Sequence, residues 1–123
     1  MQSQTMEHDQ AIKCFQRAIQ VDAHFAYAHT LCGFEYMLSE DLDKAASCFR
    51  GAIRIQSRHY HAWYGLASVF VKQEKYLLAE YHFKKALEIY RDNPLLESHV
   101  AMVRLFIVLT HFQGDSKRSG SIK

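Results

Sequence analysis

Proline is almost missing from this chain of 123 residues, which has one at position 94 and only five glycines. That scarcity excludes a turn-rich β architecture and favours helix. Cysteine is scarce as well. Cys14, Cys32 and Cys48 are odd in number and contain no Cys-x-x-Cys pair, which argues against a disulfide framework. They read as small apolar packing residues in a reducing compartment. Neither sign of charge dominates: 15 basic residues face 13 acidic ones, for a net charge of +2. The basic runs are only Lys84-Lys85 and Lys117-Arg118, so neither nucleic acid nor an anionic membrane is an expected partner. The most apolar run, Val100 to Leu109, is interrupted by Arg104 and falls short of the ~20 residues of a membrane span. Met1 to Met6 has no apolar core, so no signal peptide is expected. Glycine-rich phosphate loops, a Gly-x-Ser-x-Gly elbow and a Cys–His–Asn set are all missing. The expectation is a binding protein, not an enzyme, with no cofactor.

What is present is a helical repeat. Trp63, Leu66, Ala67 and Phe70 fall on one helical face, and Ala79, Phe83 and Ala86 on another, joined by the polar turn Lys72-Gln-Glu-Lys75. A shift of thirty-four residues places Leu66-Ala67 on Cys32-Gly33, Phe70 on Tyr36, and Ala79, Phe83 and Ala86 on Ala45, Phe49 and Ala52. A second shift reaches Ala11, Phe15 and Ala18. One Ala-x-x-x-Phe would mean little, since any amphipathic helix supplies it; three copies in phase resemble the tetratricopeptide repeat. The expected fold is therefore all-α, a solenoid of antiparallel helix pairs.

The chain divides accordingly. A partial repeat covers 7–24, with one helix from Glu7 to Val21. Full repeats cover 26–59 and 60–93, with helices from Phe25 or Ala26 to Leu38, Leu42 to Ile55, Tyr60 to Lys72 and Tyr76 to Tyr90. Asp41, Ser57 and Asn93 are the expected N-caps, and Pro94 suits a first helical position. A diverged final helix covers 94–113. It keeps Val100-Ala101 in phase but sets Arg104 where Phe70 stood, and it is apolar all round. The array thus spans 1–113, and the Gly/Ser/Lys-rich stretch 114–123 reads as a disordered tail. The partial helix and the final helix both present apolar faces, so self-association is expected.

The first helix of each repeat lines the concave face of such a solenoid, where extended peptides bind. Residues turned from the paired helix are Tyr27, Thr30, Leu31, Phe34 and Met37, and one repeat later His61, Tyr64, Gly65, Ser68 and Val71. Arg58 and Lys72 add positive charge for a peptide carboxylate. The expected groove is Tyr27, Thr30, Phe34, Arg58, His61, Tyr64, Ser68 and Lys72, although Leu31, Phe34 and Met37 equally suit packing between repeats. Eight histidines invite a metal, but His59-x-His61 is the only close pair. On a helix those two project about 200° apart, so no metal site is expected.

Several strings are more specific than the repeat: Glu7-His-Asp-Gln-Ala-Ile-Lys, Phe15-Gln-Arg-Ala-Ile-Gln-Val-Asp22, Ala26-Tyr-Ala-His-Thr-Leu31 and Arg58-His-Tyr-His-Ala-Trp-Tyr-Gly-Leu66. Lys72-Gln-Glu-Lys75, Ala79-Glu80 and His82-Phe83 go with them. Over about Glu7 to Ile89 they resemble the C-terminal repeats of the cell-division-cycle-twenty-seven family, the third subunit of the anaphase-promoting complex. The resemblance implies a homodimeric, nuclear scaffold of a ubiquitin ligase, active in mitosis. Its implied partners are other subunits of the complex and the Ile-Arg C-terminal tails of activator proteins. The chain departs from that family at Asp22-Ala23 and Gln56-Ser57, where the family closes repeats with Asp-Pro or Asn-Pro. The alternative is a peptide-binding adaptor or co-chaperone outside that complex, which would need a basic clamp of several Lys, Arg and Asn.

Overall fold

In the two full repeats the alanines and phenylalanines that recur every thirty-four residues vanish from the surface, whereas their counterparts Ala11, Phe15 and Ala18 in the partial repeat stay partly exposed. In the computed structural model, Ala45, Phe49, Ala52, Ala67, Ala79 and Ala86 are fully inaccessible and Phe83 nearly so. The structure describes the backbone of residues 2–122 and the side chains of residues 6–112. Among the described residues all regular structure is helical: α1 Gln2–Val21, α2 Ala26–Leu38, α3 Leu42–Ile55, α4 Tyr60–Lys72, α5 Tyr76–Ile89 and α6 Pro94–Ile122. α2 pairs with α3 and α4 with α5, and α1, α3 and α5 each pack on the next first helix, which builds a stack one helix pair at a time. The expected all-α repeat solenoid is what the chain forms.

Small residues set how closely the pairs approach. The Phe49 ring lies between Gly33 of α2 and Gly65 of α4. A methyl group on Gly33 would meet the ring at 2.7 Å, and one on Gly65 at 2.3 Å. Glycine is required at both places because the space is already filled by the ring. Phe34 meets the same ring edge-on, with centroids 4.9 Å apart.

The two intra-repeat turns repeat one another. Glu40 and Glu74 adopt left-handed φ values of 64° and 60°. Asp41 N–H donates to the Tyr36 carbonyl at 2.9 Å and Lys75 N–H to the Phe70 carbonyl at 2.8 Å, which closes each first helix with the usual left-handed cap. Asp41 accepts from Lys44 N–H at 3.4 Å, and Asn93 accepts from Leu95 N–H at 3.0 Å, so both act as the expected N-caps. Ser57 does not. The N-cap of α4 is His59, with no side-chain cap bond, and the Ser57 carbonyl instead accepts from the Trp63 indole N–H at 2.8 Å. The indole N–H reaches back over the turn as a donor and leaves the first N–H groups of α4 without a side-chain cap.

The ends differ from expectation. α1 starts at Gln2 instead of Glu7. It is tied to α2 by His8 Nδ1 against Glu35 at 2.6 Å and by Gln16 donating to the Tyr36 hydroxyl at 3.1 Å. The backbone of α6 is helical to Ile122, past Gln113, where a disordered tail over 114–123 was expected. No proline interrupts it, and Gly114 and Gly120 each cost a growing helix only ~1 kcal/mol. Side chains from 113 onward, and residue 123 entirely, lie outside the described residues. Nor is α6 buried on several sides. Leu96, Val100 and Val103 are covered, while Leu95, Leu105, Val108, Leu109 and Phe112 are exposed. As one helix, Pro94–Phe112 is long and apolar enough to cross a membrane, a length that the shorter run Val100–Leu109 did not reveal.

Candidate functional site

The eight residues expected to line one groove fall into three groups. Tyr27 and His61 meet at the N-terminal end of α4, and Arg58 precedes that helix in the chain. Tyr27, about half exposed, faces the edges of His59 and His61, with ring centroids 6.0 and 6.3 Å away. His61 in turn lies 4.1 Å from Tyr60, which sits 5.2 Å from Tyr90. Arg58 is exposed in the connection just before this cluster and forms no ion pair among the described residues. An open aromatic face with one free guanidinium beside it is the result.

Thr30 does not line the groove. It is buried, and its hydroxyl donates to the Ala26 carbonyl at 3.2 Å. With that proton committed, the oxygen accepts from His59 Nε2–H at 2.9 Å. Thr30 thus positions the histidine instead of meeting a ligand. Burial, and secondarily the neighbouring His61, push the His59 imidazole below its ordinary value, which keeps it neutral.

Phe34, Tyr64 and Ser68 form a closed second group. Phe34 packs on Phe49 and lies 6.4 Å from Tyr64, so it fills space between repeats. The Tyr64 ring meets Phe83 at 5.7 Å and His99 at 5.1 Å, and its hydroxyl lies 3.2 Å from His99 Nε2. Ser68 gives its hydroxyl to the Tyr64 carbonyl of its own helix at 2.9 Å. A side chain from α6 has closed what would otherwise be the middle of the groove. Burial also lowers the His99 imidazole.

Lys72, the last residue of α4, is exposed but stands roughly 20 Å along the helix from Arg58. The two cations do not converge on one carboxylate. Among the described residues no three His, Cys, Asp or Glu side chains come together as metal ligands. Among the described residues, hollows lie between α5 and α6 beside Lys84, Leu87 and Arg104, about 250 Å³, beside Leu87, Glu88 and Arg91, about 390 Å³, and on α1 beside Lys13, Cys14 and Arg17, about 320 Å³.

Comparison with known proteins agrees with the repeat fold. The tetratricopeptide repeat family matches residues 35–94. Protein bimA of Emericella nidulans is 50% identical over 94 residues, 76% of this chain and 12% of bimA. Anaphase-promoting complex subunit 3 of Schizosaccharomyces pombe is 45% identical over 97 residues, 79% of this chain and 15% of that protein. The chain folds as a tetratricopeptide-repeat solenoid and is similar in sequence to that subunit. It spans about an eighth of the length of these relatives. Among solved structures, the first tetratricopeptide domain of Spaghetti (RPAP3) bound to the HSP90 peptide SRMEEVD superposes with a TM-score of 0.79 at 15% identity, over 85% of this chain and 82% of that one. At that identity the likeness concerns the fold.

Seen as tetratricopeptide repeats, the residues that sequence reasoning missed have clear addresses. His99 lies thirty-four residues after Gly65, in the place where the previous repeat needs no side chain at all. Its ring stacks flat on Phe83, at 5.1 Å and 5°. The shift that sets Val100-Ala101 on Leu66-Ala67 also sets His99 on Gly65, but phase alone does not show that its ring reaches Tyr64. His59 lies one residue before a helix and outside the repeat motif, and only its contact with Thr30 marks it.

Proposed function

We propose that this chain is a protein–protein interaction scaffold of the anaphase-promoting complex type, and that it receives an extended peptide on the open face around Tyr27, His61 and Arg58. The observation that carries the reading is the half-exposed Tyr27 ring, framed by two histidines and flanked by an unpaired arginine. Rigid rings with polar tips lose little side-chain entropy when they bind. The likeness to subunit 3 supplies the kind of partner: other subunits of the complex, and a C-terminal Ile-Arg tail whose carboxylate meets Arg58. Nuclear localisation and a dimer belong to the same proposal. The role is one of binding, with no chemical step. A co-chaperone role receives less support, because the open face offers aromatics and one arginine instead of a clamp of several cations.

The test is copurification. A tagged chain expressed in dividing cells should bring down other subunits of the complex, and Tyr27→Ala with Arg58→Glu should reduce their yield several-fold. Capture of chaperones in their place, or equal capture of subunits by the double variant, would overturn the proposal.

A further inference from the structure

The residues that line the hollow between α5 and α6 copy a place the fold already uses. Lys84, Leu87, Glu97, Val100, Ala101 and Arg104 stand thirty-four residues after Arg50, Ile53, Trp63, Leu66, Ala67 and Phe70. One repeat earlier that place holds α5. Ala79, Phe83 and Ala86 of α5 are buried, and the His82 ring lies 5.6 Å from Trp63 and 5.0 Å from Phe70. Burial lowers the His82 imidazole, and the charge of Arg50 on α3 lowers it further. The fold thus contains its own example of the place when filled: a helix with small residues inward and one polar side chain at the rim.

The later copy is open. Ala101, in phase with the fully buried Ala67, is exposed, and the hollow beside it measures about 250 Å³. The described chain sends no helix back into it. α2 and α4 turn at Glu40 and Glu74 in left-handed backbone, whereas the equivalent place in α6 is Val108. A β-branched residue resists that conformation, and α6 stays helical to Ile122. The rim changes in the same step. Glu97 and Arg104 replace the two rings that flank His82. Arg104 is held by Glu80 at 2.9 Å, and Glu88 faces Lys85 at 3.8 Å. Lys84 and Arg91 form no ion pair among the described residues. Glu97, in the first turn of α6, suits the positive end of that helix. What is left over at the rim is positive charge.

We infer that this hollow is the docking site of a partner's amphipathic helix, one that presents alanine-sized residues to Val100 and Ala101 and a carboxylate to Lys84 at the place where α5 carries His82. Small inward residues are needed because helices packed through alanines approach closely, and Ala101 keeps the close approach that Ala67 allows α5. Contact with Val100 and Leu87 holds the helix, while the carboxylate fixes its register and selects it over a basic helix. The site lies on the second-helix side of the array, away from the Tyr27 face, and the inference stands independently of the peptide proposed there.

The probe is a synthetic copy of α5, Lys75 to Tyr90, made once with His82→Glu and once with His82→Lys. In fluorescence anisotropy against the full chain, the Glu peptide should bind about threefold more tightly than the Lys peptide, the scale of an exposed ion pair. Its helical circular dichroism should grow on binding, since a segment this short is barely helical alone. Lys84→Glu should reverse the preference, and Ala101→Gln should weaken both peptides more than about tenfold by holding the helix away. Both positions are exposed, so Tm should hold. If Ala101→Gln lowers Tm, the reversal at Lys84 decides alone. No binding of either peptide at about 1 mM, equal binding of the two, or a preference that Lys84→Glu leaves unchanged would each overturn the inference.

Discussion

The two ends of the groove side are built from similar residues and do different things. At one end Tyr27 stands half exposed beside His59 and His61. At the other Tyr64 is locked among Phe34, Phe83 and His99. The difference comes from the next helix along. Tyr27, on the first turn of α2, meets His59 and His61 at the start of α4, whereas Tyr64, one turn further along α4, meets His99 of α6. The two tyrosines also occupy different repeat positions: thirty-four residues on, Tyr27 becomes His61 and Thr30 becomes Tyr64. A tyrosine on the groove side of such a helix therefore identifies a binding residue only when what the next first helix sets against it is known.

The largest expected effect breaks the tight end of the comparison. Gly65→Ala places a methyl group 2.3 Å from the Phe49 ring, which cannot withdraw because Gly33 holds its other side. We expect a loss of about 3 kcal/mol, the upper part of the overpacking range, read as a drop in Tm by circular dichroism. An unchanged Tm would mean that the ring moves freely and that the clamp is not real.

Next comes the tyrosine pair itself. Tyr64→Ala should cost about 2 kcal/mol, because it empties a site shared by α2, α5 and α6 and strands His99. Tyr27→Ala should cost under about 0.5 kcal/mol, as exposed substitutions usually do. Equal losses in chemical denaturation would erase the distinction between the two ends.

A pH series sharpens the same contrast. His59 and His99 both have imidazoles lowered by burial from an ordinary value of 6.5. As pH falls below 6.5 the unfolded chain takes up protons that the folded chain resists, so stability is full above that value and declines beneath it. Tm should be lower at about pH 5.5 than at about pH 7.5, and His99→Gln should remove part of the difference. A Tm that rises on acidification would contradict the assignment of both as neutral in the fold.

Much of the fold was legible because it rests on periodicity. Phe49, Phe83 and their alanines announce the helix pairs, and Asp41 and Asn93 announce two helix starts. The site was less so. Helical phase placed Thr30 on the groove side but could not show that the turn bearing His59 folds over it. The groove count put Tyr64 with Tyr27, since nothing within one repeat says that His99 fills the gap. Arg58 and Lys72 look paired along the sequence until the length of α4 separates them. The bare face of α6 was missed because apolar residues all round a helix read as burial.

The smallest effect concerns what the repeats share. Glu40 and Glu74 hold left-handed backbone that glycine takes without strain. Glu40→Gly and Glu74→Gly should each stabilise by about 0.5 kcal/mol, and by the same amount, because the two turns are copies. Unequal gains would show that the repeats differ in their turns as well as on the groove side.

The central claim is that the open end, and not the closed one, receives a peptide, and a titration tests it directly. A labelled peptide ending in Ile-Arg should bind the wild type weakly, bind Tyr64→Phe equally well, and lose most of its affinity for Tyr27→Ala and Arg58→Glu at unchanged helicity. Amidation of its C-terminus should mimic the loss at Arg58. Undiminished binding to Tyr27→Ala, with binding lost in Tyr64→Phe, would place the site at the other end and contradict the account.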